Sequence, residues 1–152
     1  MPKRSIHSPL GCLVATEIEG KLTELSFSSM EYREETPLLL QVERELQEYF
    51  NHQRTTFDVP LEPHGTDFQK RIWAELLKIP FGQTKSYKEV AESIGNPQAM
   101  RAVGGACGKN PIILIIPCHR VLGANQRLGG FSAGLDRKED LLDHEDIPYH
   151  KR

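Results

Sequence analysis

The sequence predicts an α/β fold of the α+β kind: a small sheet-plus-helix domain over residues 1–62, then a helical, winged-helix-like domain over residues 66–152. Three observations carry that expectation. CLVATEIEGKLTELSFS at 12–28 partly alternates apolar and polar residues around Glu19-Gly20, the pattern of a hairpin in a small sheet. NHQRTTFDVPLEPHG at 51–65 holds two prolines, a glycine and little periodicity, which marks a connection between domains. Two capped helical patterns separated by Gly95 then follow within residues 86–109, the outline of a helix-turn-helix.

In chain order, Thr36-Pro37 reads as an N-cap and first helical residue, followed by Leu39, Val42, Leu46, Tyr49 and Phe50 at helical spacing. Thr66-Asp67-Phe68-Gln69 fits a capping box, and Ile72, Trp73, Leu76 and Leu77 form the apolar side of a helix ending before Pro80. Ser86 and Glu89 fit a second capping box, with Val90, Ala91 and Ile94 inward and Gly95 as the stop.

Asn96-Pro97 is expected to open the next helix, QAMRAVGGACGK. On a helical wheel Ala102, Val103 and Ala106 gather on one face, and Arg101, Gly104, Gly105 and Gly108 on the other. Each interior glycine destabilises a helix by about 1 kcal/mol relative to alanine, so this face calls for close approach of another surface, a packed helix or a nucleic-acid backbone.

IILII at 112–116 is short, β-branched and apolar on both faces, which predicts a fully buried strand ended by Pro117. Glycines at 123, 129, 130 and 134 mark loops, and GLDRKEDLLDHE at 134–145 reads as a last helix with Leu135, Leu141 and Leu142 inward.

The bulk properties limit the function. At 152 residues and 38% hydrophobic content the chain can bury a core, and no window approaches a membrane span or a signal segment, so a cytoplasmic or, in a eukaryote, nuclear protein without membrane contact is expected. Cys12, Cys107 and Cys118 form an odd set with no CxxC pair, so no disulfide framework and no metal site are expected, although Cys12 with His7 or His64 could be imagined around a metal. Residues 1–65 carry 6 Lys+Arg against 11 Asp+Glu, while residues 68–128 carry 9 against 3, which favours a phosphate-bearing partner for the second part.

Cys118 follows the buried run and Pro117, where a rigid element could position a thiol. On extended backbone Cys118 and His119 would point to opposite faces, so they can cooperate only if the chain turns there or a water bridges them. A free thiol of pKa about 8.5 is only slightly ionised at neutral pH, and a neighbouring base raises the nucleophile fraction. Glu139, Asp140, Asp143 and Glu145 could each stand behind the histidine, and spacing does not choose among them.

PCHRV at 117–121, preceded by RAVGGACGKN and KNPIILII and followed by GGFSAGLDRKEDLLDHE, resembles the O6-alkylguanine-DNA alkyltransferase family, the methylated-DNA–protein-cysteine methyltransferases. The resemblance runs from about Thr66 to Glu145. The N-terminal part matches in length and layout only. What it implies is direct repair of double-stranded DNA containing O6-alkylguanine by a monomer without a cofactor. The helix-turn-helix would lie in the minor groove, and the damaged base would be flipped out.

The resemblance further assigns roles to residues 66–152. Cys118 accepts the alkyl group, His119 takes its proton through a water, Glu145 holds His119, and Asn110 braces the network. Arg101 fills the base stack, Tyr87 meets the adjoining phosphate and the base, and Gly104 and Gly105 let the helix approach DNA. Ser132 donates to the guanine oxygen, Val121 reads its amino group through a main-chain carbonyl, and Phe131 forms a pocket wall. The product would be a thioether, which water does not hydrolyse, so each molecule would act once.

Phe131 stands where members of the family often have tyrosine, Ala133 where they often have glycine, and Ile113 where some have proline. These departures bear on bulky adducts and free-base inhibitors rather than on methyl transfer. Cys107 reads as a small packing residue that could border the pocket. Two other functions compete: a Cys-His hydrolase, which would need an oxyanion hole, and a lesion-sensing DNA-binding protein without chemistry.

Overall fold

The computed structural model describes residues 1–131 and 133–151, and its contacts divide the chain into two compact units, Met1–His64 and Gly65–Arg152. In the first unit β1 (Lys3–Ser8), β2 (Gly11–Ile18) and β3 (Lys21–Phe27) form an antiparallel sheet in the order β1-β2-β3. The expected hairpin is present. Glu19 and Gly20 both take positive φ, 49° and 78°, which matches the twist of the flanking strands. β1 was not legible in KRSIHS, where only Ile6 is fully buried, opposite Leu13 of β2.

α1 (Pro37–Phe50) starts where its cap predicts, with Leu39 N donating to Thr36 Oγ1 at 3.0 Å. Its Leu39, Val42, Leu46 and Tyr49 are buried, as are Ile6, Leu13, Leu22 and Leu25 of the sheet. The stretch expected to be a plain connection also returns to the sheet: Leu22 and residues 60 and 62 exchange main-chain hydrogen bonds of 2.9 Å, so Leu61 extends the β3 edge.

In the second unit α2 (Asp67–Leu76) and α3 (Tyr87–Ser93) both open with the predicted capping boxes. Trp73 is buried, and its Nε1 donates to Ala106 O at 2.8 Å, tying α2 to α4 (Met100–Gly108). A Cβ on Gly65 would meet the Trp73 ring at 2.6 Å, so glycine is required there.

Several expectations need correction. α4 begins at Met100 rather than at Asn96-Pro97, because Ala99 N bonds Asn96 O at 3.0 Å in a turn and no side chain caps the helix. Ala102 is exposed, and Val103, Ala106 and Cys107 are the buried side. Leu77 and Leu135 are 47% and 43% exposed, not inward, since each lies at a helix end beyond the packed turns.

The largest difference concerns IILII. These residues are buried as expected, but they fold into a tight turn, not a strand: Ile115 N bonds Ile113 O, Ile116 N bonds Ile112 O, and Leu114 takes φ 76°. Asn110 supplies what a neighbouring strand would have supplied, because its Oδ1 accepts from Ile112 N at 2.9 Å and its Nδ2 donates to Ile116 O at 2.8 Å. A short parallel pair follows, β4 (Lys85–Ser86) with β5 (Val121–Leu122), and then α5 (Leu135–His144).

Candidate functional site

Pro117 ends the buried turn, and residues Cys118–Arg120 wind into one turn of 3-10 helix. That turn meets the condition set by the sequence, since consecutive side chains no longer alternate across an extended backbone. Cys118 is buried, and its Sγ accepts a hydrogen bond from Asn110 Nδ2 at 3.2 Å. The same amide therefore fixes both the turn and the thiol. Burial pushes the Cys118 pKa up to about 11, against which the Asn110 bond and the Lys138 charge pull it down. At rest the group is a thiol.

Behind it, His119 is fully buried with Nε2 2.8 Å from Glu145 Oε2. Burial holds the imidazole below its ordinary pKa despite the Glu145 bond, so the ring is neutral at rest. With Nε2–H donating to the carboxylate, the lone pair lies on Nδ1, which is buried and has no hydrogen-bond partner among the described residues. His119 is thus set as a base with one vacant acceptor.

Glu145 caps the C-terminus of α5 and is more heavily bonded than the sequence suggested. Arg120 Nε reaches Glu145 Oε1 at 2.8 Å and Nη2 reaches Oε2 at 3.0 Å, a two-point clamp, and Gly82 N donates to Oε1 at 3.1 Å. Burial alone would raise this carboxyl; the bonds from His119 and Arg120 outweigh it and hold Glu145 well below the usual carboxylate range. Among the alternatives, Glu139 instead faces Tyr149 and Lys151.

Nothing in the local pattern around Arg120 pointed to this role. Its Nη1 also bonds Ile79 O at 2.7 Å, and its guanidinium lies 5.9 Å from the Phe81 ring centroid. Lys138 also went unnoticed in the sequence: it is fully buried, with Nζ donating to Val121 O at 2.9 Å and to Gly130 O at 3.0 Å. A signal existed for Lys138, which precedes Leu141 and Leu142 by three and four residues and so shares their inward face.

A cavity of about 230 Å³ opens over the thiol, lined by Tyr87, Gly104, Cys107, Gly108, Cys118, Gly130 and Phe131. Of the residues singled out from sequence, Cys118, Tyr87, Gly104 and Phe131 meet at this cavity, with His119, Glu145 and Asn110 bonded behind it. Val121 is buried in β5, with its carbonyl accepting from Lys138. Cys107 also lines the cavity, its pKa pushed up by burial to about 12. Arg101 and Gly105 are on α4, outside the cavity lining; Arg101 is exposed and Gly105 is open to addition of a methyl group. Ser132 lies outside the described residues.

The glycines of α4 have no internal reason to be glycine. A Cβ on Gly105 or Gly108 would meet nothing within 4 Å, and one on Gly104 only Tyr87 at 3.9 Å. Packing within the unit therefore does not account for them. Ala102, Gly105 and Gly108, with Arg101, form an exposed strip of small residues beside one cation. Among the described residues, no cluster of three or more His, Cys, Asp or Glu could hold a metal, and no helix is long and apolar enough to cross a membrane.

Comparison with known proteins covers both units. The family described as 6-O-methylguanine DNA methyltransferase, DNA binding domain, matches residues 67–147, and the ribonuclease-like domain of 6-O-methylguanine DNA methyltransferase matches residues 1–63. A methylated-DNA–protein-cysteine methyltransferase of Methanosarcina barkeri is 44% identical over 149 residues, covering 93% of this chain and 94% of the relative. One from Haemophilus influenzae is 42% identical over 151 residues, covering 93% and 84%. Among solved structures, Mycobacterium tuberculosis OGT in complex with DNA superposes with a TM-score of 0.88 at 42% identity, covering 97% of this chain and 96% of that one.

Proposed function

Because the chain belongs to the 6-O-methylguanine DNA methyltransferase family, it is a DNA repair protein that transfers an alkyl group from O6-alkylguanine to a cysteine of its own, and we propose that this cysteine is Cys118, activated by His119 and Glu145. One observation carries the assignment: Cys118 lines the cavity while the bonded His119–Glu145 pair lies behind it with Nδ1 open.

In the proposed step the thiol proton passes to His119 Nδ1 through a bridging water, and the sulfur attacks the alkyl carbon. The S–C bond forms as the carbon–O6 bond breaks, the electron pair stays on guanine, and the proton ends on the base. Arg120 keeps Glu145 anionic, so the imidazolium formed meanwhile is stabilised. The thioether product has no activated carbon, which makes the reaction irreversible and stoichiometric.

The exposed small-residue strip of α4 supports docking in the minor groove, with Arg101 entering the stack as the damaged guanine leaves it. Tyr87 and Phe131 then form pocket walls around the base, Gly104 and Gly105 admit the duplex, Asn110 steadies the thiol, and the Val121 carbonyl reads the guanine amino group with its second lone pair. We propose that the protein acts as a monomer, since one copy supplies every residue named.

Two observations separate this from the competing functions. The amides of Cys118 and Arg120 are bonded to Ile116 O and Pro117 O at 2.8 and 2.9 Å, so neither is free to act as an oxyanion donor for a hydrolase. A sensor without chemistry would not need a cavity-lining thiol followed directly by a buried histidine held by a carboxylate. The test is intact mass spectrometry after mixing the protein with a duplex carrying one O6-methylguanine. A stoichiometric gain of one methylene on Cys118, absent with unmodified duplex, is expected. Lesion-preferring binding without mass gain would favour the sensor.

A further inference from the structure

Lys138 is a buried cation that the alkyl-transfer step leaves without a task. It sits on the inward face of α5 and donates to the carbonyls of Val121, in β5 just after the Cys118 turn, and of Gly130, which lines the cavity beside Cys118. Among the described residues it forms no ion pair with a carboxylate. An ammonium taken from water without a paired anion is unfavourable, and an apolar side chain of similar length would fill the same space. The groups beside it that can become negative are the thiols of Cys118 and Cys107, which line the same cavity as Gly130.

Resting on the reading of Cys118 as alkyl acceptor, we propose that Lys138 is a positioning residue that ties β5 at Val121 to the Gly130 wall of the pocket and supplies the positive charge against which the Cys118 thiolate forms. The ionisable groups facing it are the Cys118 thiol on the 3-10 turn and the Cys107 thiol on α4, with His119 and its partners Glu145 and Arg120 behind. Its charge favours ionisation of Cys118, and an ionised Cys118 favours its charge in return.

Burial lowers the Lys138 pKa to about 8, so the cation is present at neutral pH and is lost in mildly alkaline solution. That gives the inference a signature. Below about pH 8 the charge raises the thiolate fraction of Cys118 relative to a chain without it. Above that pH the lysine becomes neutral and the advantage closes.

The experiment follows the rate at which iodoacetamide alkylates Cys118 between about pH 6 and 10, located by peptide mass spectrometry, in the unaltered protein, Lys138→Gln and Lys138→Met. Glutamine keeps an amide donor for the carbonyls and methionine keeps none, so an effect shared by both reports the charge. Both variants are expected to react about tenfold more slowly at about pH 7, equivalent to one pKa unit, with the gap closing above about pH 8. Folded variants with an unchanged rate, or with an offset that is the same at every pH, would overturn the proposal.

Should neither variant fold, lysine side-chain NMR of the unaltered protein decides. A lysine whose titration shifts when Cys118 is alkylated by iodoacetamide supports the proposal, and lysine titrations unchanged by that alkylation overturn it. Methyl uptake from the lesion duplex, measured in parallel, tests the alkyl-transfer reading separately: Cys118 could fail to take a methyl group while its iodoacetamide profile still reports on Lys138.

Discussion

At the scale of single residues, the site rests on a division of charge among neighbours in one short turn. Cys118 is a thiol at rest, His119 is neutral, and Glu145 is anionic because Arg120 holds both its oxygens. Glu145→Gln should therefore act twice. The histidine loses the anion that stabilises its protonated form, and single-turnover methyl transfer is expected to slow by about 10²-fold. Arg120 is left as an unpaired buried cation, so denaturant unfolding should report a loss of about 3 kcal/mol. Cys118→Ser should leave folding intact and abolish the gain of mass.

The glycines of α4 separate stability from function at the scale of the element. The Gly105 position is open, so Gly105→Ala is expected to stabilise the helix by up to about 1 kcal/mol, read as a higher unfolding midpoint. The same methyl group would stand between the helix and the minor groove, and affinity for lesion duplex should fall. A variant that is more stable yet binds as before would mean that the glycine strip does not serve close approach to DNA. Gly129 is the opposite case. It has φ +63°, and a Cβ there would meet Tyr87 Oη at 3.1 Å, so Gly129→Ala should both strain the loop and displace a pocket wall, lowering stability and alkyl-transfer rate together.

For the whole molecule, the buried ionisable groups set a pH window. The folded chain holds Glu145 and His119 below their ordinary values, so the unfolded chain binds more protons in acid. Stability is then complete above the ordinary pKa values and is lost as pH falls below about 6.5 and on through the carboxylate range. In alkali the signs differ. Cys118 and Cys107, raised to about 11 and 12, keep protons that the unfolded chain loses, so stability falls as pH rises above about 9. Lys138, lowered to about 8, opposes this over part of the range. Thermal unfolding scanned across pH should give the highest midpoint between about pH 7 and pH 9.

Local chemistry in the chain was enough to set the helix starts at Thr36, Thr66 and Ser86, the Glu19-Gly20 hairpin and the inward face of α2, because caps, turns and periodicity act over a few residues. It also brought Cys118 and His119 to notice, since PCHRV is a local pattern. Tertiary structure settled what depends on distant partners. IILII lacks a neighbouring strand, so Asn110 closes it into a turn, and α4 starts at Met100 because the preceding residues bond among themselves. Four carboxylates stood open behind the histidine in the sequence, and only the fold brings Glu145 across 26 positions to His119 while adding Arg120 and Gly82 to the same carboxylate. Lys138 shows the same limit, because a lysine on an apolar helix face becomes interpretable only when the carbonyls and thiol around it are in place.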